Sequence, residues 1–533
     1  MSKAKVIEYY NDRYMGSLSA GDCDALESIL AADANNQGLS DFTHLITCAY
    51  DSEVDQYIED METWGKSMHK FDTSTIGTLK SYQTCGVGLM YYAGSCILGD
   101  SVGLGKTVET AGLYKLLSNI RNEKLSNYEL YKPFRALMLT EKNLASQFRK
   151  ELVKFTSEFF ELIPSAEEKV MKTFVDSHPV DEILPYSIVG THGLLSNGYF
   201  LMWLEQCRKG ESGFPFDMLV IDESSCLGNT ATQITKNFKA ISKYFERIIF
   251  LNATPFETKL DVFYTQLSLL DSKLLPTKTN FVKEYCLMDY RGMYPKPTGK
   301  YKNQANFKRL VGYRYFARTR KDKGAVMSDC DGKVILSPLS KVQKNWLTLS
   351  QLHRVVYDCP TCLDEGIEFN SENVPKLASI TQLFNNECKD ANSILIYVYF
   401  KDAQKYLSQW LTGKGYSNRI LNGDTSYEDR LSAIEGFKRG DYRVLITNVQ
   451  KGLNFGSCDY CIFYSFDANP SAMIQFEGRT TRDFDIVGKH IYILCSEGEE
   501  YRKFNSVIRP RAKATTELTN SDISVVMQIL TGV

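Results

Sequence analysis

Ile97-Leu98-Gly99-Asp100-Ser101-Val102-Gly103-Leu104-Gly105-Lys106-Thr107 closes an apolar, strand-like run and opens a helical pattern from Val108 to Leu117. Gly103 and Gly105 let the backbone amides turn inward around phosphate oxygens, and the helix start adds the positive end of its dipole. Lys106 is placed to reach terminal phosphates, and Thr107 to ligate Mg²⁺. Asp100 stands where the usual GxxxxGK[ST] pattern has its first glycine.

Working outward, short β-rich apolar runs recur at Arg135–Thr140, Tyr186–Gly190, Met218–Asp222 and Arg247–Asn252, then at Ser393–Phe400, Arg419–Asn422, Tyr442–Thr447, Tyr460–Phe466 and His490–Cys495. Helix-length mixed segments separate them, which predicts parallel sheets covered by helices on both faces. The runs fall into two groups, one ending near Ser272 and one beginning near Asn392, so two sheets are expected. Between them lie a basic stretch and a polar, helix-like segment, Ser340 to Leu383.

A chain of 533 residues is too long for one core and suits two or three domains. It has 62 Lys+Arg against 64 Asp+Glu, so any nucleic-acid site must be local rather than a property of the whole. The charge is unevenly placed: residues 1–65 hold 13 acidic and 3 basic residues, and the remainder 51 acidic and 59 basic. That opening part, with helix-like patches at Ala25–Ala32 and Val54–Trp64, reads as an acidic helical segment, either a solvated face or a surface for a protein partner. The 14 Cys follow no repeated spacing and no signal peptide is recognisable, so a reducing cytosol with free thiols is expected. Apolar runs fall far short of the roughly 20 residues of a membrane span.

Two further stretches carry chemistry. Met218-Leu219-Val220-Ile221-Asp222-Glu223 puts two carboxylates at the end of a buried strand. Phosphoryl transfer needs such a pair: Asp222 to hold the Mg²⁺ bridging the terminal phosphates, Glu223 to orient or deprotonate the attacking water. In Gln475-Phe476-Glu477-Gly478-Arg479-Thr480-Thr481-Arg482, the arginines 479 and 482 are three apart and would share a face of a helix. Both would point at a γ-phosphate, as arginine fingers do.

In order along the chain, these motifs resemble the Swi/Snf-like branch of the superfamily-2 helicases and translocases, from about Leu79 to Glu500. Leu79 to Val87 is similar to the branch's adenine-recognition segment, which implies a base contact for Gln83. The branch's phosphate loop reads Asp-x-x-Gly-x-Gly-Lys-Thr, so Asp100 fits it. Glu141, Lys142 and Gln147, then Thr191-His192, resemble DNA-backbone motifs. Asp222 to Asn229 resembles the Asp-Glu-Ala-His box, with Ser224-Ser225 in place of Ala-His. Asn252-Ala253-Thr254-Pro255 resembles the motif coupling hydrolysis to DNA, and Phe316 to Lys321, with Arg318 and Arg320, the basic end of the first lobe. In the second lobe Ser393 to Phe400, Asn422 to Thr425 with Arg430, Thr447 to Phe455 with Gly452 and Asn454, and Gln475 to Arg482 complete the series.

The resemblance implies an α/β fold of two RecA-like parallel-sheet lobes in tandem, after a small N-terminal helical segment. The expected division is 1–70 acidic segment, 71–325 first lobe, 326–510 second lobe and 511–533 tail. It implies ATP and Mg²⁺ between the lobes, and an ATP-dependent, DNA-stimulated translocase or helicase acting on duplex or branched DNA irrespective of sequence. Coupling and nucleic-acid contacts would fall to Thr254, Gln475, Gly452, Asn454, Thr447, Arg318 and Arg320. An RNA or branched-DNA helicase of the same superfamily, and a nucleotide-gated interaction protein with little turnover, are the alternatives.

Residues 296–323 hold ten Lys/Arg and one acidic residue, interleaved with Tyr301, Phe307, Tyr313, Tyr315 and Phe316. That pattern fits phosphate contact with base stacking, or else aromatics of a core with only a few charges facing DNA. Cys359-Pro360-Thr361-Cys362 has metal-knuckle spacing, and His353 with Cys388 would complete a zinc set. The other such spacing, Cys458-Asp459-Tyr460-Cys461, enters a buried strand where small apolar Cys is the ordinary reading, so zinc is not expected.

Overall fold

The computed structural model of the chain describes residues 79–126, 132–253, 260–271, 275–290, 295–311, 314–320, 325–449, 455, 458–466, 469–480, 485–518 and 524–532. The acidic segment 1–70 lies outside them, as do Thr254, Gly452, Asn454 and Arg482. Contacts divide the chain into two units, one up to Arg318 and one from Thr319 onward. No helix among the described residues is long and apolar enough to cross a membrane.

The first unit opens with α1 (Ser81–Ala93), followed by β1 (Cys96–Leu98) and α2 (Lys106–Ser126). Its further strands are β2 (Ala136–Thr140), β3 (Phe160–Leu162), β4 (Ser187–Thr191), β5 (Met218–Asp222) and β6 (Arg247–Leu251). After α3 (Leu260–Leu270) come β7 (Cys286–Asp289) and β8 (Lys296–Tyr301), an antiparallel pair, and then β9 (Tyr315–Phe316). Seven of these form one sheet in the order β3-β4-β2-β5-β6-β1-β9, every pair parallel. Every residue of β1, β2 and β4 is buried, as continuous Ile, Val, Leu and Met runs covered on both faces must be.

Register fixes where the chemistry falls. Leu251 of β6 pairs with Leu98 of β1 on one side and with Asp222 of β5 on the other. The phosphate-loop sequence and the Asp222-Glu223 pair therefore leave the same end of the sheet, two strand spacings or about 10 Å apart.

The second unit is a six-stranded parallel sheet. Its strands are β11 (Asp331–Ser337), β12 (Ile394–Tyr397), β13 (Asn418–Leu421), β14 (Val444–Thr447), β15 (Tyr460–Phe463) and β17 (His490–Ser496), in the order β11-β17-β15-β12-β14-β13. A separate two-stranded pair joins β10 (Met327–Ser328) to β16 (Ile486–Val487). One face packs on α4 (Lys376–Asn385), with Leu377, Ile380 and Leu383 in the core. The opposite face packs on α5 (Pro470–Arg479) and on α6 (Val525–Thr531). Residues 511–533, expected as a tail, thus contribute Ala512, Val525, Val526, Ile529 and Leu530 to the second core.

Candidate functional site

At the head of α2 the loop takes the form its glycines allow. Gly103 and Gly105 have φ of +91° and +90°, values at which a side chain would be strained. A Cβ on Gly103 would meet open space, whereas one on Gly105 would lie 2.6 Å from Gln83 Nε2. The amides of Gly103, Gly105, Lys106 and Thr107 donate to no backbone carbonyl among the described residues. They form a concave donor set at a helix start, the arrangement that accepts phosphate oxygens. Lys106 Nζ donates to the carbonyls of Asp100 at 2.5 Å and Ser101 at 3.3 Å. Burial pulls its ammonium below the usual lysine range, against the opposing charges of Asp100, Glu223, Asp222 and Glu109.

Gln83 is buried on α1 and braces the loop: Nε2 donates to Leu104 O at 3.0 Å, and Oε1 accepts from the amide of Lys80 at 3.0 Å. Tyr82 adds a second bond to Leu104 O, also 3.0 Å, and burial pushes its hydroxyl up to about 12.

Beneath the loop lies a cluster that sequence reasoning missed. Asp100 is fully buried, and its Oδ1 accepts the amide of Arg318 at 3.0 Å and the Nε of Arg318 at 3.1 Å. Arg318 Nη2 reaches Asp100 Oδ2 at 2.5 Å and Glu109 Oε2, on α2, at 2.6 Å, and Nη1 donates to Tyr82 O. One guanidinium thus serves two buried carboxyl groups. Burial drives Glu109 well above the ordinary carboxyl range, with Arg318 lowering it and Asp100 raising it further. α1 passes so close that a Cβ on Gly86 would lie 2.0 Å from Glu109 Oε2.

Arg318 and Arg320 are the two arginines of this stretch expected to contact nucleic acid. They are 8% and 5% exposed, Arg318 inside the cluster and Arg320 in the second unit near the charge of Glu477. Phe307, Tyr315 and Phe316 are core residues as well, and Arg314 is tied to the carbonyls of Ala93 and Ser95 and to Asp271. Among the described residues of the stretch, Lys300 and Lys302 remain exposed.

At the end of β5, Asp222 Oδ2 accepts Thr140 Oγ1 at 2.9 Å, and His192 Nε2 lies 2.7 Å from Asp222 O. An imidazole therefore stands beside the acidic pair although Ser224-Ser225 occupy the place of Ala-His. Glu223 takes a left-handed conformation, φ 50° and ψ 54°, uncommon for a residue with a side chain and a feature of functional sites. Ser224 Oγ donates to Gln266 Oε1 on α3 at 3.2 Å, and Gly228 closes on Val262 of the same helix. The turn after the carboxylates is thereby docked on the helix that follows the Thr254 motif.

In the second unit, Thr447 ends β14, buried, with its Oγ1 accepting the amide of Val449 at 3.0 Å. Gln475 is buried within α5. That helix ends at Arg479 with Thr480 as its cap, and Arg482, expected to share its face, lies outside the described residues. Of the residues of the zinc alternative, His353 Nδ1 lies 3.0 Å from Glu499 Oε2, while Cys359 and Cys388 are in the apolar core with Cys362 packed against it. Among the described residues no three His, Cys, Asp or Glu side chains are grouped to hold a metal.

With that geometry in place, comparison with known proteins decides the family. A model of the SNF2-related domain matches residues 35–389, and one of the helicase conserved C-terminal domain matches 375–483. The chain belongs to the SNF2-related family. Relatives include the mouse chromodomain-helicase-DNA-binding protein 1-like, 23% identical over 79% of this chain and 47% of that protein. The putative ATP-dependent helicase/translocase YwqA of Bacillus subtilis is 20% identical over 85% of this chain and 50% of its own length. Chicken DNA repair and recombination protein RAD54B is 22% identical, over 75% and 49% respectively. This SNF2-related chain spans about half the length of these curated relatives. Among solved structures, the Sulfolobus solfataricus SWI2/SNF2 ATPase core in complex with dsDNA aligns over 84% of this chain and 98% of that one, at 17% identity and a TM-score of 0.37.

Proposed function

We propose that this SNF2-related protein hydrolyses ATP and couples the hydrolysis to movement along duplex or branched DNA. The observation that carries the reading is the pairing of an amide-lined loop and Lys106 with the Asp222-Glu223 carboxylates at one end of one parallel sheet. Names such as ATP-dependent helicase/translocase and DNA repair and recombination protein among its relatives support it.

The loop amides and Lys106 bind the phosphates. Thr107 and Asp222 supply the oxygens that would hold Mg²⁺, a hard cation suited to hydroxyl and carboxylate ligands, which when bound neutralises charge on the terminal phosphates. Glu223 accepts a proton from the attacking water, and Arg479 and Arg482 are the residues whose positive charge is assigned to the γ-phosphate. Gln83 has capacity beyond its bonds to the loop: a second N–H on Nε2 and a second lone pair on Oε1. Those are the partners of adenine N7 and N6, so one side chain would tie base recognition to loop shape.

The test is steady-state ATP hydrolysis without nucleic acid and with single-stranded, duplex and forked DNA and RNA, with Glu223→Gln as control. Stimulation by a DNA form, lost in the variant, is expected. Stimulation by RNA alone would reassign the track, and absence of hydrolysis throughout would overturn the reading.

A further inference from the structure

Two residues before Arg479, α5 carries a buried carboxylate, Glu477, bonded to the start of α6. Glu477 is 2% exposed, and its Oε1 accepts the amide of Val525 at 2.7 Å. Its Oε2 accepts the Ser524 hydroxyl and, at 3.3 Å, the amide of Val526. Ser524 also takes the amide of Met527 on its Oγ at 3.0 Å, so one network joins the arginine-bearing helix to the start of α6. Apolar contact reinforces it: Val525, Val526, Ile529 and Leu530 share a core with Met473 and Phe476 of α5. α6 is wedged on its other side too, since a Cβ on Gly332 of β11 would come within 2.6 Å of Ile529.

The peptide after Glu477 is held from the opposite direction. The amide of Phe455 donates to Arg479 O at 3.1 Å. Buried Lys489 donates to Thr480 O at 3.0 Å and to Cys458 O. The Thr480 hydroxyl returns to Glu477 O at 2.7 Å. The backbone that sets the origin of the Arg479 side chain is thus clamped on one side by Lys489 and Phe455, and on the other by α6 through Glu477. The matched helicase C-terminal domain ends at 483, so α6 lies outside it.

We propose that Glu477 and the segment Ser524–Gly532 are positioning elements for Arg479, setting the reach of its guanidinium. This rests on the reading of Arg479 as the residue that meets the γ-phosphate. An arginine finger contributes about 10³–10⁵ in rate, and a misplacement of about 1 Å at a catalytic group can cost about 10²-fold. The contribution of Glu477 runs through the backbone it fixes, which makes it a positioning residue.

The experiment uses the full chain with Glu477→Ala, Glu477→Gln and Ser524→Ala, each checked by thermal melting to be folded at the assay temperature. Duplex-stimulated kcat is expected to fall by about tenfold or more in Glu477→Ala, and less in the other two, which keep part of the network. ADP affinity and the KM for ATP should stay near wild type, because Lys106, Thr107 and Asp222 lie in the other unit. Trapping of ADP with aluminium fluoride, which mimics the transferring phosphoryl group, should weaken in step with kcat. If the folded variants keep wild-type kcat and aluminium fluoride trapping while only their melting temperature falls, the clamp is structural and the proposal is overturned. Should Glu477→Ala not fold, the same two outcomes in Ser524→Ala and Glu477→Gln decide. A wild-type protein without hydrolysis would overturn the ATPase reading itself, and this inference with it, a result distinct from unchanged variants.

Discussion

Replacing Arg318 by Met removes the cation that sits between Asp100 and Glu109 under the phosphate loop. The Asp100 carboxylate then keeps, of its bonds to residue 318, only the one from the backbone amide, at 3.0 Å, and loses those from Nε and Nη2. Breaking a buried pair by deleting one member costs about 3–5 kcal/mol, because the remaining charge stays buried. For a unit of this size each kcal/mol lowers the melting temperature by about 2–4 °C, so a fall of roughly 6–20 °C is expected. Differential scanning calorimetry measures it, and the double variant Asp100→Asn with Arg318→Met supplies the cycle. Neutralising both partners should recover much of the loss, since an apolar or neutral replacement of a whole buried pair is often close to neutral. A single-variant shift of less than about 2 °C, or a double variant no more stable than Arg318→Met, would refute the assignment of Arg318 to the loop's foundation.

Other consequences follow from the same geometry. Glu109 has a folded-state affinity for its proton above the unfolded one, so its contribution is present near and below the ordinary carboxyl range and is lost as pH rises toward its folded value. Glu109→Gln, which mimics the protonated acid, should flatten the decline of first-unit stability with rising pH seen in urea titrations; an unchanged slope would show Glu109 ionised. Gln83→Ala should narrow the preference for ATP over GTP by about 1–3 kcal/mol of the discrimination, read from competition of the two nucleotides, and equal preference before and after would deny the base contact. In the second unit, Lys376 is fully buried between Asp358 at 2.8 Å and Glu500 at 3.2 Å. Lys376→Met should cost about 3–5 kcal/mol in that unit's unfolding and leave nucleotide affinity unchanged; a variant as stable as wild type would contradict the pairing.

Much of the fold was legible because buried parallel strands are spelled in continuous apolar runs. The nine runs from Arg135–Thr140 to His490–Cys495 all correspond to strands. Among the strands that were missed, β3 and β9 are only three and two residues long, β11 alternates exposed and half-buried positions at a sheet edge, and β7, β8, β10 and β16 form small two-stranded pairs apart from the two main sheets. Glycine placement announced the phosphate loop, and Asp222-Glu223 announced itself by ending a buried strand. What lay beneath was hidden for a physical reason. Arg318 looks like any member of a basic stretch, and only tertiary packing delivers it to Asp100, 218 positions earlier. Glu477 reads as one more charge on an amphipathic helix until α6 closes on it. A charge run in sequence does not distinguish a cation facing solvent from one, like Arg318, paired with carboxyl groups in the core.

Displacement of a triplex-forming oligonucleotide from duplex DNA tests the motor reading most directly, because only a protein that travels along the duplex removes it. The account predicts displacement that requires hydrolysable ATP and disappears in Glu223→Gln and Lys106→Ala, while both variants still bind duplex. Displacement at an undiminished rate in Glu223→Gln, or DNA-stimulated hydrolysis by the wild type with the triplex left in place, would contradict it.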